Sequence, residues 1–217
     1  MNLHREEHID ITEKVDQKWS TITHGLAFVV FFLVSFPYLY YIFSVHDTGG
    51  LKIGAFIFCL ATLSVYGSST LYHAFYFTEK AFFYRKLDHI CIYLLIAGTN
   101  TPFVLSSLDF WLSTTIMVGL WAMVAAGIYL KAYHFERVAW FSLPMYLVMG
   151  WLGLLTIFFA YPSLSFECLA FLLAGGSIYT MGTIFYNSEH IPYNHTIWHL
   201  FVMAGTCCHF IAIYLLV

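Results

Sequence analysis

The feature that most constrains the fold of this chain is a series of seven apolar runs separated by short polar segments. The runs cover residues 22–45, 53–74, 84–106, 110–131, 138–160, 165–186 and 194–217. A helix needs about 20 mostly apolar residues to cross the ~30 Å hydrocarbon core of a bilayer, and every run is at least that long. The sequence therefore predicts an all-α integral membrane protein, folded as a bundle of seven transmembrane helices.

The composition indicates a bilayer rather than water as the main solvent. Of the 217 residues, 60% are hydrophobic and 10% are charged, against about 25% charged residues in an average soluble domain. Residues 1–21 are polar and lack the apolar core of a signal peptide, so we expect an N-terminal tail followed by one membrane domain over 22–217. The net charge of −3 and the absence of a basic, aromatic-rich run outside the apolar runs give no indication of a nucleic-acid partner.

The distribution of Lys and Arg predicts the orientation. Eight of the nine fall before the first helix or around the loops that follow the second and fourth helices, and Lys52 alone falls between the first and second. Since cytoplasmic loops carry an excess of Lys and Arg, we expect a cytoplasmic N-terminus, an external C-terminus and a multi-pass location in the cell membrane. The end of the second helix and the starts of the third and seventh then meet at the cytoplasmic side.

Three histidines converge at that side. His195 and His199 are four residues apart at the start of the seventh helix, so both imidazoles can reach one ion. His73, near the end of the second helix, is a candidate third ligand. Three histidines and a water form a typical catalytic zinc site, although imidazole also suits iron, copper and nickel. Taken alone, the pair in the seventh helix also fits two interfacial histidines without a metal.

Asp88 and Ser69 are the candidate catalytic residues. An acid inside the membrane is costly and needs a partner. Near a metal, Asp88 could accept a proton from bound water or orient a histidine; alternatively it pairs with Lys86 or Arg85 at the interface. Ser69 lies one turn before His73 and could hydrogen-bond the water or a substrate carbonyl, or serve only as a small packing residue.

The other membrane histidines have simpler interpretations. His24 is expected to be an interfacial residue or a neighbour of the site. His89 points about 100° away from Asp88 around the helix, so the two are not expected to face one ion. His209 is ten residues beyond His199, and we expect a buried histidine bonded to another helix.

Three segments resemble the signature blocks of the hemolysin III group, the bacterial members of the progestin and adipoQ receptor (PAQR) family: "SSTLYH", "KLDHICIYLLIAGTNTPF" and "HTIWHLFVMAGTCCHF". The early "THG" and the later "GGSIYTMGTIFY" extend the similarity over nearly the whole chain. One departure is Asn100, where bacterial relatives often have tyrosine; it is expected to lie far from the site.

The resemblance implies a zinc ion near the cytoplasmic face, with ligand positions that match His73, His195 and His199. Its serine and aspartate around the zinc-bound water match Ser69 and Asp88. Related receptors have been linked to ceramide hydrolysis, and bacterial members to membrane homeostasis. We therefore expect a zinc-dependent intramembrane hydrolase acting on a lipid amide or ester. The alternatives are a non-enzymatic homeostasis sensor with structural zinc and a cytolytic pore-former. The substrate and the oligomeric state stay open.

Overall fold

The protein is a helical bundle. A computed structural model describes residues 11–160, 163–188 and 190–216, except for the side chain of residue 154. Its helices are α1 (Ile11–Val45), α2 (Gly49–Ala74), α3 (Ala81–Ser107), α4 (Phe110–Tyr133), α5 (Ala139–Trp151), α6 (Gly153–Ala160), α7 (Phe166–Tyr186) and α8 (Asn194–Tyr214), with a 3-10 turn (Phe135–Val138) before α5. Within these residues, seven segments are long and apolar enough to cross a membrane, which confirms the predicted seven-helix membrane fold.

The fifth membrane segment contains two helices instead of one. It covers Phe135–Ala160, and its helix is interrupted at Leu152, between α5 and α6. The apolar pattern over 138–160 predicted a continuous helix, because a break made of apolar residues leaves hydropathy unchanged.

Helix α1 is described from Ile11, well inside the predicted tail, and residues 1–10 lie outside the described part of the chain. Its first turns are polar but include buried side chains: Asp16, Gln17 and Ser20 are at most 8% exposed. These three residues form hydrogen bonds to α2 and α8, and such bonds offset the cost of burying polar groups. Residues 11–21 of the predicted tail therefore form the polar end of a membrane helix.

Close contact between helices determines how the bundle packs. α2 packs along α3, α7 packs along α8, and α1 lies against both α2 and α8. At Gly54 an added Cβ would lie 2.3 Å from the Cα of Pro102, so the backbones of α2 and α3 approach too closely for any side chain there. Small residues permit this kind of approach between membrane helices. The pairing brings the end of α2 and the starts of α3 and α8 to one end of the bundle.

The outer surface is apolar, as a bilayer requires. Large hydrophobic side chains such as Leu26, Val118 and Phe158 are 60% exposed or more. Soluble monomers rarely present contiguous apolar surfaces larger than a few hundred Å², whereas lipid tails cover such a surface without cost. The chain is accordingly a multi-pass membrane protein.

Candidate metal centre

Three imidazole rings form a compact cluster at one end of the bundle. His73 comes from the last turn of α2, and His195 and His199 come from the first turns of α8. Their nitrogens lie within 4.8 Å of one another, and the three pairs of ring centroids are each 4.8 Å apart. His73 and His199 are 3% and 1% exposed. The structure thus brings together the three histidines that the sequence proposed as ligands.

The hydrogen bonds of His73 leave one ring nitrogen available. Its Nδ1 lies 2.5 Å from Oε1 of Gln17. An amide oxygen only accepts, so Nδ1 carries the proton and Nε2 keeps its lone pair. That Nε2 is buried and has no hydrogen-bond partner among the described residues. A histidine that binds a metal usually donates the N–H of one ring nitrogen to an acceptor and offers the other nitrogen to the ion. His73 has this arrangement. The donor set therefore fits a metal ion.

Helix α1 also fixes the start of α8. Oδ1 of Asp16 accepts from the backbone N–H of Thr196 at 3.0 Å and from its hydroxyl at 2.5 Å. The Ser20 hydroxyl lies 3.2 Å from the same threonine oxygen. The first N–H groups of a helix lack partners within the helix, and a carboxylate there also complements the helix dipole. Asp16 therefore caps α8 from another helix and holds the turn that carries His195.

The ring of His199 is enclosed by polar groups. Its Nδ1 lies 3.4 Å from the hydroxyl oxygen of Thr23, and its Nε2 lies 3.5 Å from that of Ser69. His24 stacks on it with a centroid distance of 3.5 Å and an angle of 5° between the rings. His24 is 2% exposed, so it is a buried neighbour of the cluster, which was one of its two expected interpretations.

Asp88 is buried beside this cluster and is not part of an interfacial ion pair with Lys86 or Arg85. It is 7% exposed. Lys86 donates from Nζ to the carbonyl oxygen of Ala132 at 3.0 Å, and the guanidinium of Arg85 lies over the ring of Phe135. Among the described residues, the ion-pair contact of Asp88 is a long one, 3.9 Å to Nδ1 of its neighbour His89.

A cavity of about 160 Å³ extends from the cluster into the membrane region. Asp88, Ser69, His195 and His199 line one end of it. Beyond them the wall is mainly apolar, and its aliphatic part includes Ile92, Leu95, Ile96, Leu143, Leu147 and Leu172. Asn100, the residue at which the sequence departs from the resembled family, lies on the same wall, three turns along α3 from Asp88. It is thus distant from the histidines but lines the same cavity.

Two other histidines of the membrane helices bond backbone carbonyl groups. Nε2 of His209 lies 3.3 Å from the carbonyl oxygen of Leu172 on α7, which confirms a buried histidine bonded to another helix. Nδ1 of His89 lies 2.8 Å from the carbonyl oxygen of Arg85 within its own helix.

Sequence reasoning missed Asp16, Gln17 and Ser20, which looked like part of a solvated tail. A signal was present, because residues 16, 17, 20 and 24 recur at the spacing of one helix face. A polar stripe that leads directly into an apolar run indicates contact with other polar groups.

The fold and the site together define a seven-helix membrane protein with a buried three-histidine cluster where α2 and α8 meet. The family model described as "Haemolysin-III related" matches residues 14–210. The chain belongs to that family, and its location is the cell membrane.

Curated relatives agree with this assignment. The chain is 38% identical to "Hemolysin-3 homolog" of Bacillus subtilis (strain 168) over 197 residues, covering 89% of this chain and 91% of the relative. It is 34% identical to "Hemolysin-3" of Bacillus cereus, with coverages of 89% and 88%. It is 29% identical to the human "Monocyte to macrophage differentiation factor", a PAQR-family protein, with coverages of 75% and 70%. No solved structure matches the chain significantly.

Proposed function

We propose that the protein is a zinc-dependent intramembrane hydrolase that cleaves an amide or ester bond of a membrane lipid and so contributes to membrane homeostasis. The observation that carries this proposal is the free Nε2 of His73, oriented by Gln17 and adjacent to His195 and His199. Three imidazoles without a thiolate leave one position of a tetrahedral ion open, as in catalytic zinc sites. Bound zinc would polarise a carbonyl and lower the pKa of a bound water toward ~7.

Asp88 is the proposed general base. It is buried at the same end of the cavity as the histidines, and among the described residues no Lys or Arg pairs with it. A carboxylate not engaged by a cation is available to accept a proton from a water molecule. Ser69, whose hydroxyl faces His199, would orient that water or the substrate carbonyl.

The shape of the cavity supports a lipid substrate. From Asp88 to Asn100 the wall follows twelve residues of α3, about 18 Å at the rise of a helix. Aliphatic side chains line most of that length, which suits an acyl chain whose carbonyl lies at the histidine end. With the N-terminus in the cytoplasm, as proposed from the Lys and Arg distribution, the reactive end faces the cytoplasmic leaflet.

The test is single-turnover release of fatty acid from ceramide-like amides and from ester lipids by purified, zinc-loaded protein. We expect release by the wild type, loss in His199→Ala, and loss with zinc retained in Asp88→Asn. His134→Ala is the matched control, because His134 lies in the turn after α4, outside the cluster. Unchanged release in His199→Ala, or no release from any lipid by fully loaded wild type, would refute the proposal.

A non-enzymatic sensor is the second candidate, and one observation favours it. The cluster joins α2 and α8, and Asp16 and Gln17 attach α1 to both, so a metal there would brace three helices. Chelation should then lower the melting temperature strongly while no lipid is turned over. The pore-forming alternative gains no such support: among the described residues that line the cavity, Asp88 is the only Asp, Glu, Lys or Arg, and it lies at one end.

A further inference from the structure

A second cavity lies next to the first, and none of the described residues that line it comes from α1. Its volume is about 380 Å³. It is bounded by the start of α3, the end of α4, the 3-10 turn, the start of α5 and the end of α7. His89, Leu143 and Tyr186 line both cavities and form the wall between them. The second cavity is therefore at the same end of the bundle as the histidine cluster.

Lys131 is the unusual residue of this cavity. It lies in the last turn of α4 and is 1% exposed. Its Nζ lies 4.5 Å from the centroid of the Phe135 ring, and no described residue forms an ion pair or hydrogen bond with it. Glu136, in the 3-10 turn that follows α4, is exposed and does not come within 4.0 Å of Nζ. Lysine side chains are rarely this buried without an ion-pair partner, because the ammonium is strongly hydrated in water.

Arg85 adds a second cation to the same ring. Its guanidinium carbon lies 5.2 Å from the centroid of Phe135 and lines the cavity with Lys131. The two positive charges repel each other, and contact with the Phe135 ring replaces only part of the hydration that the buried side chain of Lys131 loses. Among the described residues no carboxylate lies within 4.0 Å of either group. Both cations are therefore free of direct carboxylate contact among the described residues, and an anion from outside the chain would find both facing the cavity.

We propose that this cavity binds a phosphate group, with the headgroup of an anionic membrane lipid as the source that the location favours. A guanidinium matches phosphate oxygens with two parallel N–H donors, and a lysine ammonium adds a compact charge. Trp140 lines the cavity and is 79% exposed, as is common for tryptophan at headgroup level. The proposal is independent of the hydrolase function, since binding requires neither the metal nor Asp88.

The test is a titration of purified full-length protein in detergent, followed by native mass spectrometry. The ligands are dioctanoyl phosphatidic acid, dioctanoylglycerol, which lacks the phosphate, and sodium phosphate. For Lys131→Met we expect about tenfold or greater loss of affinity for phosphatidic acid, the equivalent of one hydrogen bond to a charged group. The affinity for dioctanoylglycerol should not change. Lys86→Met is the matched control: it removes a cation at the same end, but Lys86 bonds a backbone carbonyl and is not part of the cavity lining.

Arg85→Gln provides an independent variant if Lys131→Met does not fold, and it should also weaken phosphatidic acid binding. If Lys131→Met weakens binding of phosphatidic acid but not of sodium phosphate, the cavity is a site for a lipid headgroup. The same dependence with sodium phosphate identifies free phosphate as the occupant. The proposal is overturned if neither phosphate ligand binds less tightly to the folded variants, or if Lys86→Met weakens binding equally.

Discussion

The bond between Gln17 and His73 leads to the sharpest prediction about the metal site. Oε1 of Gln17 holds the proton of His73 on Nδ1, which leaves Nε2 unprotonated. Replacing Gln17 with Leu keeps the approximate volume but removes the acceptor. The neutral ring can then carry its proton on Nε2, and that proton must be displaced before a metal binds. The change leaves the histidines themselves intact, so any loss of metal affinity comes from the lost hydrogen bond and not from a lost ligand.

The expected magnitude follows from similar outer-shell partners. Their loss typically lowers metal affinity by about 10–100-fold, which corresponds to ~1.4–2.7 kcal/mol. A single buried hydrogen bond contributes about 0.5–1.5 kcal/mol, and a donor left unsatisfied costs about 1–3 kcal/mol. Both of these ranges overlap the ~1.4–2.7 kcal/mol expected for the lost metal affinity. Loss of the hydrogen bond between Gln17 and His73 is therefore sufficient to account for the expected drop.

The assay is competition between the purified protein and a zinc chelator of known affinity. Gln17→Leu should release zinc at a free chelator concentration about 10–100-fold lower than the wild type requires. Gln17→Glu supplies a carboxylate acceptor and should restore the affinity. Lys18→Gln changes the exposed neighbour and should have no effect. If folded Gln17→Leu binds zinc as tightly as wild type, the assigned role of Gln17 is wrong.

Two further predictions concern how the bundle holds the site. Asp16→Ala removes the cap of α8 and leaves a backbone N–H unsatisfied, so we expect ~1–3 kcal/mol lower stability, measured by thermal unfolding in detergent; an unchanged melting temperature would contradict the capping role. Gly54→Ala places a Cβ 2.3 Å from the Cα of Pro102 and should destabilise the bundle by about 1–3 kcal/mol through overpacking. Gly119→Ala, with nothing within 4 Å of the added Cβ, is its control, and equal stability of the two variants would refute the close contact of α2 and α3.

Much of the fold was predictable because the bilayer imposes simple rules. Seven apolar runs give seven membrane segments, and the spacing of His195 and His199 places two rings on one face of a helix. That His73 would join them followed from the shared membrane end, not from any local pattern. The break at Leu152 was not predictable, since apolar residues occupy both sides of it.

The polar start of α1 was the main omission, and its physical reason is general. A polar side chain is stable in water or in contact with a partner, and composition does not distinguish these two environments. The partners of Asp16 and Gln17 are separated from them by 180 and 56 positions along the chain. Their burial depends on the packing of α1 against α2 and α8, so only the three-dimensional arrangement reveals it.

The same packing couples the candidate metal site to the stability of the bundle. Gln17 and Asp16 find their partners only when α1 lies against α2 and α8, and those partners are His73 and the turn that carries His195. Without His73, the buried Gln17 would lose its hydrogen-bond partner, at a cost of about 1–3 kcal/mol. A metal bound by His73 of α2 and by His195 and His199 of α8 would stabilise the contacts that α1 makes with these two helices. The polar stripe of α1 therefore belongs to the site as much as the histidines do, and its residues are the ones whose substitution should change metal affinity and bundle stability together.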